Sequence, residues 1–251
     1  MTYPYVCYNI STNMVAAIIL LILGTIASSV FIVSKVINYS LKTIIFKTIA
    51  SLFFLALAIV CVCLTSNEHL FFKIFALLGL FFGLLGDVFL GYKYVTKGKV
   101  QKIFILTGMF AFAFGHIFYI IGLLVGFYIP GNVLFIILPF TLPLVIISLY
   151  MVVAKKVGIN FGKGMMPFGL FYLYCLTCMV SSAISMVTLY KFANITLVMF
   201  FVGALCFMTS DFMLTGSYFK AGERPKAYRA TYSVFYYLAQ FIIAFSIFFL
   251  A

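Results

Sequence analysis

Acidic side chains are scarce in this chain. Among 251 residues there are 4 Asp and Glu against 16 Lys and Arg, and charged residues make up only 8% of the sequence. A soluble domain carries roughly 25% charged residues, so the composition excludes a soluble globular fold. Tryptophan is absent, which leaves the 17 tyrosines to form any aromatic belt at a membrane interface.

Hydrophobic residues make up 66% of the chain. They form eight runs, each close to the 20 or so residues that cross a ~30 Å hydrocarbon core. The runs are Met14–Val33, Thr43–Leu64, Leu70–Tyr92, Ile103–Val125, Val133–Val153, Met165–Leu189, Ile195–Thr215 and Ala230–Leu250. We therefore predict an all-α membrane protein, a bundle of eight transmembrane helices in one polytopic domain over residues 1–251. No basic residue precedes the first run, which argues against a cleaved signal peptide.

The basic residues are distributed unevenly among the connections. All of the 16 except Lys73 and Lys191 lie near alternate connections: Lys35, Lys42 and Lys47; Lys93, Lys97, Lys99 and Lys102; Lys155, Lys156 and Lys163; Lys220, Arg224, Lys226 and Arg229. The positive-inside rule predicts that these connections are cytoplasmic and that both termini are non-cytoplasmic. The net charge of +12 is then a topology signal that also suits anionic lipid headgroups, and no pattern points to nucleic acid.

Two of the four acidic residues lie inside apolar runs. Asp87 is in FFGLLGDVFLGY (Phe81–Tyr92), and Asp211 is in FVGALCFMTSDFMLTGSY (Phe201–Tyr218). A carboxylate at membrane depth costs about 2.5–3.5 kcal/mol on insertion scales, so it faces the bundle interior or a water-filled cavity. The two interior aspartates are therefore the first candidates for a functional site.

The same polar pattern occurs twice along the chain. Asp87 and Asp211 fall in the third and seventh helices, which run in the same direction. His116 follows Asp87 at the interval at which Gln240 follows Asp211. We predict two repeat halves, residues 14–125 and 133–250, related by an axis along the membrane normal. Convergence of similar helix interfaces is the alternative explanation.

The predicted topology sets the depth of each polar residue. Both aspartates lie roughly 9–14 Å in from the cytoplasmic helix ends, at 1.5 Å per residue. Lys47 and Tyr236 reach a similar depth, and His116 and Gln240 lie deeper. We therefore predict a polar cleft that opens toward the cytoplasmic leaflet, with carboxylates near its mouth and with imidazole and amide groups at its floor.

Two carboxylates in such a cleft rarely both ionise, so the pair supplies an acid beside a base. This arrangement suits hydrolysis through an oxocarbenium-like transition state. The alternative is that each aspartate only hydrogen-bonds between helices, and His116 is equally well explained as a structural partner. Glu68 and His69 are expected to be solvated in an outer loop.

Other motifs indicate structure rather than chemistry. Only one buried imidazole is available, so we predict no metal site. Cys175 and Cys178 have CxxC spacing, but they lie mid-helix without further ligands and are interpreted as packing residues. Pro139 and Pro143 predict a kink in the fifth helix, and Pro225 is expected in the first turn of the eighth.

Four segments resemble the YhhN-type integral-membrane proteins, which include the lysoplasmalogenases, and they occur in the family's order. They are Gly79–Leu90, Gly108–Ile120, Val202–Leu214 and Thr231–Ile243. Ile45–Leu52 is similar to the family's Lys-Pro segment, although Thr48 stands where proline is usual.

The resemblance implies hydrolysis of the vinyl-ether bond of lysoplasmalogens, in a bacterial plasma membrane, to a fatty aldehyde and glycerophospho-ethanolamine or -choline. No metal or organic cofactor is required. The partners are then a lysophospholipid substrate and membrane lipids, with the oligomeric state open. A proton-coupled transporter or lipid-handling protein using the same aspartates is the alternative.

Site roles follow from this interpretation. Asp87 and Asp211 are expected to be the catalytic acid–base pair, and either could be the acid. The expected substrate-binding residues are Lys47, His116, Tyr236 and Gln240. The lipid phosphate is expected near Lys47 and near Lys93 or Arg229, with Lys47 the preferred ligand.

Overall fold

The computed structural model describes residues 4–159, 164–219 and 224–250, with the side chains of the first helix described from Met14 onward. Eight α-helices occur in these ranges: α1 (Pro4–Ile37), α2 (Leu41–Leu64), α3 (Leu70–Tyr92), α4 (Gly98–Gly126), α5 (Leu134–Lys156), α6 (Met166–Leu189), α7 (Ile195–Phe219) and α8 (Lys226–Ser246). Each contains a stretch long and apolar enough to cross a membrane, which confirms the all-α, eight-span prediction. Lys163, Lys220 and Glu223 lie outside the described residues, as does the side chain of Cys7.

The helices extend beyond several of the predicted apolar runs. The third run matches α3 at both ends, but α4 begins at Gly98 instead of Ile103 and α1 begins at Pro4 instead of Met14. Hydropathy marks only the part of a helix that suits hydrocarbon. Backbone hydrogen bonding continues into the polar interface, so the helix is longer than the apolar run.

Neighbouring helices in sequence are also neighbours in space. α1 packs against α2, α2 against α3 and α3 against α4, and the same order holds from α5 to α8. α8 also contacts α1 and α2, and α4 contacts α6, which joins the two sets. The predicted two-half repeat stays a prediction.

Glycines let α3 and α4 approach closely. A Cβ atom added to Gly115 on α4 would lie 3.0 Å from the Gly79 carbonyl oxygen on α3. One added to Gly79 would overlap the ring of Tyr119, which is buried. Small residues at such contacts are typical of helix packing in membranes. This contact holds the helix that carries Asp87 against the helix that carries His116.

The proline and cysteine predictions have mixed outcomes. α5 continues through Pro139 and Pro143, and the predicted kink stays a prediction. Pro225 is the N-cap of α8 rather than a residue of its first turn, because its ψ of 150° is extended and the helix begins at Lys226. Cys175 and Cys178 are buried free thiols within α6, consistent with a packing role.

The end of the bundle that carries the α2–α3 connection has its own polar contacts. Glu68 is exposed, as expected. His69 is only half-exposed: its ring stacks on Phe127 with centroids 4.6 Å apart, and its Nδ1 lies 3.1 Å from the Gly126 carbonyl oxygen. The expectation that His69 is simply solvated is therefore wrong, because this side chain ties the start of α3 to the end of α4.

Candidate active site

A cavity opens at the basic end of the bundle, which we define as the end with the α1–α2, α3–α4, α5–α6 and α7–α8 connections. Every helix except α5 contributes to its wall, and Asp87 and Asp211 both line it. The space, counted to the open mouth and including solvent there, is about 930 Å³. We call this space the central cavity.

Asp87 is surrounded by hydrogen-bond donors. Lys47 Nζ lies 2.8 Å from its Oδ1. Its Oδ2 accepts from Ser51 Oγ at 2.5 Å and from the Tyr236 hydroxyl at 2.6 Å. All three contacts are donated to the carboxylate, so Asp87 is held as an acceptor. A buried charge compensated in this way is far less costly than an isolated one.

Helical spacing explains this cluster. Lys47 and Ser51 are four residues apart on α2 and therefore share one face. Tyr236 and Gln240 have the same spacing on α8, where Gln240 Nε2 donates to the Tyr236 hydroxyl at 2.9 Å. Gln240 thereby holds the tyrosine oriented toward Asp87.

Asp211 has a different environment. The Tyr172 hydroxyl donates to Asp211 Oδ2, and His116 Nε2 lies 3.5 Å from the Tyr172 oxygen. Because Tyr172 gives its proton to Asp211, its oxygen can only accept, which favours the His116 tautomer with the proton on Nε2. Within the described ranges no cation forms an ion pair with Asp211.

The two carboxylates thus have similar hydrogen-bond partners but different electrostatic surroundings. Each accepts from a tyrosine, and each tyrosine is supported by an amide or imidazole group. Within the described part of the chain, Asp87 also has a lysine partner and Asp211 does not. Two acidic groups in unlike surroundings can take unlike protonation states, as acid–base chemistry requires.

The family match covers most of the part of the chain that builds this site. The profile described as the YhhN family matches residues 42–247. The chain belongs to the YhhN family. The match extends from α2 to the end of α8 and includes both aspartates, which confirms the resemblance drawn from the four segments. No curated protein and no solved structure matches the chain.

Four of the six predicted site residues of this family member meet at the central cavity: Lys47, Asp87, Asp211 and Tyr236. His116 and Gln240 do not line it. They lie behind the tyrosines, where His116 packs against Phe207 with ring centroids 4.9 Å apart. The prediction that their polar groups form the floor of the cleft is therefore wrong, because the tyrosine hydroxyls lie between them and the carboxylates.

Sequence reasoning missed Ser51, Tyr172 and Lys35. The spacing of Ser51 from Lys47 on one predicted helix was a usable signal. No sequence signal distinguished Tyr172 from Tyr174, which lies two residues later. The Tyr174 hydroxyl donates to the Phe140 carbonyl oxygen instead of to a carboxylate. Lys35 was counted only as a topology residue, but it lines the central cavity.

Proposed function

We propose that this member of the YhhN family hydrolyses the vinyl-ether bond of lysoplasmalogens in a bacterial plasma membrane. One observation carries the proposal: two carboxylates with unlike partners line one cavity inside an apolar helix bundle. Membership of a family that includes lysoplasmalogenases supports it. A cavity of this kind suits a substrate that combines a single hydrocarbon chain with a polar reacting bond.

Asp211 is the proton donor in this proposal. Among the described residues its carboxyl has a tyrosine partner and no lysine partner, so we assign the proton to Asp211 and the carboxylate role to Asp87, which Lys47 contacts. Asp211 transfers this proton to the vinyl carbon that is not bonded to oxygen. Positive charge then develops on the carbon beside the ether oxygen, and the Asp87 carboxylate stabilises it through the preorganised field of the site.

A water molecule completes the reaction. It adds to the oxocarbenium carbon while the Asp211 carboxylate accepts its proton, which restores the acid. The resulting hemiacetal passes its hydroxyl proton to the ether oxygen, and that carbon–oxygen bond breaks. The reaction consumes one water molecule and forms a fatty aldehyde and glycerophospho-ethanolamine or -choline. It involves no oxidation or reduction.

The tyrosines and their supports position the carboxylates. Tyr236 and Tyr172 each fix one carboxylate oxygen, and Gln240 and His116 act through them. In such a site the angular placement of the acid relative to the vinyl carbon controls the rate. We therefore assign His116 and Gln240 as positioning residues.

Aldehyde release from a lysoplasmenyl lipid by the purified protein in detergent tests the proposal. Asp211→Asn and Asp87→Asn are each expected to lower kcat by about 10²–10⁴-fold, the usual contribution of acid–base groups. Glu68→Gln makes the same chemical change at an exposed residue outside the cavity and should leave the rate unchanged. Folded aspartate variants with wild-type rates would refute it.

Proton-coupled transport is the alternative function, and an uptake assay tests it. Lysolipid uptake into proteoliposomes under a pH gradient, with the lipid chemically unchanged, would assign the aspartates to proton coupling instead of hydrolysis.

A further inference from the structure

Two lysines at the basic end are buried and have no carboxylate partner among the residues that the structure describes. Lys35 is 8% exposed and Lys93 is 6% exposed. In the part of the chain that the structure describes, the ion pair is that of Lys47 with Asp87, and neither of these lysines takes part in it. Burying an unpaired ammonium group is costly, so this end of the molecule has positive charge that a bound anion would compensate.

Lys35 faces the central cavity. Its Nζ donates to Ser233 Oγ at 2.7 Å and lies 4.1 Å from the centroid of the Tyr232 ring. Lys35, Ser233 and Tyr232 all line the cavity. An ammonium group has three N–H donors, so the contact with Ser233 leaves donors for a ligand.

Lys93 lies behind the mouth of the same cavity. Its Nζ contacts the rings of Tyr94 and Tyr218, both of which line the cavity, with centroid distances of 4.5 and 2.9 Å. Burial lowers the pKa of Lys93 well below its usual value, and the charges of Lys35 and Lys47 lower it further. An anion bound beside Lys93 would oppose both effects and favour its ammonium form.

We propose that Lys35 and Lys93 form a binding site for a phosphate group at the mouth of the central cavity. The inference rests on the proposed function for its lipid ligand: the phosphate is then the headgroup phosphate of the lysophospholipid. The N–H donors of Lys35 form charge-assisted hydrogen bonds to the phosphate oxygens, and Lys93 adds charge.

The spacing along α3 fits this ligand. Lys93 is six residues beyond Asp87, which is about 9 Å along a helix. In a lysophospholipid only the glycerol carbons separate the vinyl ether from the phosphate. A phosphate at the mouth therefore leaves the vinyl ether one or two helical turns deeper, at the depth of the carboxylates.

This assignment moves phosphate recognition away from Lys47. The preference for Lys47 came from its position near the aspartates, but its Nζ is committed to Asp87. Lys35, by contrast, belongs to α1 and lies before the matched residues 42–247. Headgroup recognition thus adds a helix that the family match does not contain.

Binding of two uncleavable ligands tests the site. A 1-alkyl lysophospholipid and a 1-alkylglycerol with the same chain differ in the phosphate headgroup, and neither has a vinyl bond to hydrolyse. The wild-type protein in detergent is expected to bind the phospholipid more tightly by about 10–100-fold, the range for hydrogen bonds to charged groups. Equal binding of the two ligands by the wild-type protein would overturn the proposal.

Substitutions then assign the residues. Lys35→Gln and Lys93→Gln should each weaken phospholipid binding by about tenfold and leave alkylglycerol binding unchanged. Lys35→Arg should retain most of the preference, since it keeps the charge. Lys97→Gln is the matched control, because Lys97 is exposed in the α3–α4 connection. A full preference in folded Lys35→Gln and Lys93→Gln would refute the assignment.

Thermal protection distinguishes a free phosphate from a lipid headgroup, and its result does not depend on whether the protein is a hydrolase. Thermal protection by inorganic phosphate alone, lost in Lys35→Gln, would identify a free anion as a ligand. Protection by the phospholipid alone would identify the headgroup. Since neither ligand is cleaved, a failure to release aldehyde from lysoplasmenyl lipid would refute the hydrolase and leave the phosphate site standing.

Discussion

At Asp87 a buried negative charge is held by one ammonium group and two hydroxyl groups. Breaking a buried ion pair by removing one partner typically costs about 3–5 kcal/mol, because the other charge stays buried and unpaired. The side chain of Lys47 keeps 13% exposure, so water can offset part of that cost. Lys47 is therefore expected to support both the fold and the position of the carboxylate.

Lys47→Met is expected to lower the thermal unfolding temperature and to lower kcat more than it raises KM. The cause is the loss of the ammonium group that contacts Asp87 Oδ1 and compensates the carboxylate. In the double variant Lys47→Met/Asp87→Asn the unfolding temperature should recover, because no unpaired charge remains, while aldehyde release stays low. An increase in KM alone, with kcat preserved, would instead make Lys47 a phosphate ligand, as the sequence first suggested.

At the scale of one helix, α2 remains continuous through Thr48. On α2, Thr48 stands where the resemblance to the family leads us to expect proline, and its hydroxyl donates to the Ile44 carbonyl oxygen at 3.0 Å. The helix continues through this position to Leu64. Lys47 and Ser51 therefore still reach Asp87 together without the proline.

The contact of α3 with α4 depends on small residues. Gly115→Ala would place its Cβ 3.0 Å from the Gly79 carbonyl oxygen, a backbone atom that cannot move without shifting α3. We expect a loss of about 1–3 kcal/mol from overpacking, seen as a lower unfolding temperature in detergent. Gly164→Ala is the control, because a Cβ there meets nothing within 4 Å. Equal unfolding temperatures for the two variants would show that α3 moves freely relative to α4.

For the whole molecule, the charge distribution makes a prediction about orientation. The basic residues near the mouth of the central cavity are expected on the cytoplasmic side. If so, the substrate enters from the cytoplasmic leaflet. The opposite orientation would place the same mouth, with Lys35 and Lys93, toward the outside.

Labelling of intact cells with an impermeant thiol reagent tests the orientation. A cysteine at Glu68, which is exposed at the opposite end, should be labelled, whereas one at Lys97 should not. The native Cys7 is also predicted to be labelled, although its side chain lies outside those that the structure describes. Labelling at Lys97 without labelling at Glu68 would invert the bundle.

Several properties follow from the sequence alone for a physical reason. In a membrane every backbone polar group must be satisfied within its own segment, so eight long apolar runs become eight helices without further information. The cost of a carboxylate in hydrocarbon likewise identifies Asp87 and Asp211 before any contact is known. The spacing of Tyr236 and Gln240 predicts a shared helix face, although not what that face meets.

Only the tertiary structure decides which side chains meet. Tyr172 reaches Asp211, and Lys47 rather than another lysine pairs with Asp87, because each helix is rotated to a particular angle by its packing against several others. The 3.6-residue period leaves that angle open, since an apolar helix has no polar face to orient it. The place of Lys35 in the cavity wall depends in the same way on α1 packing against α2 and α8.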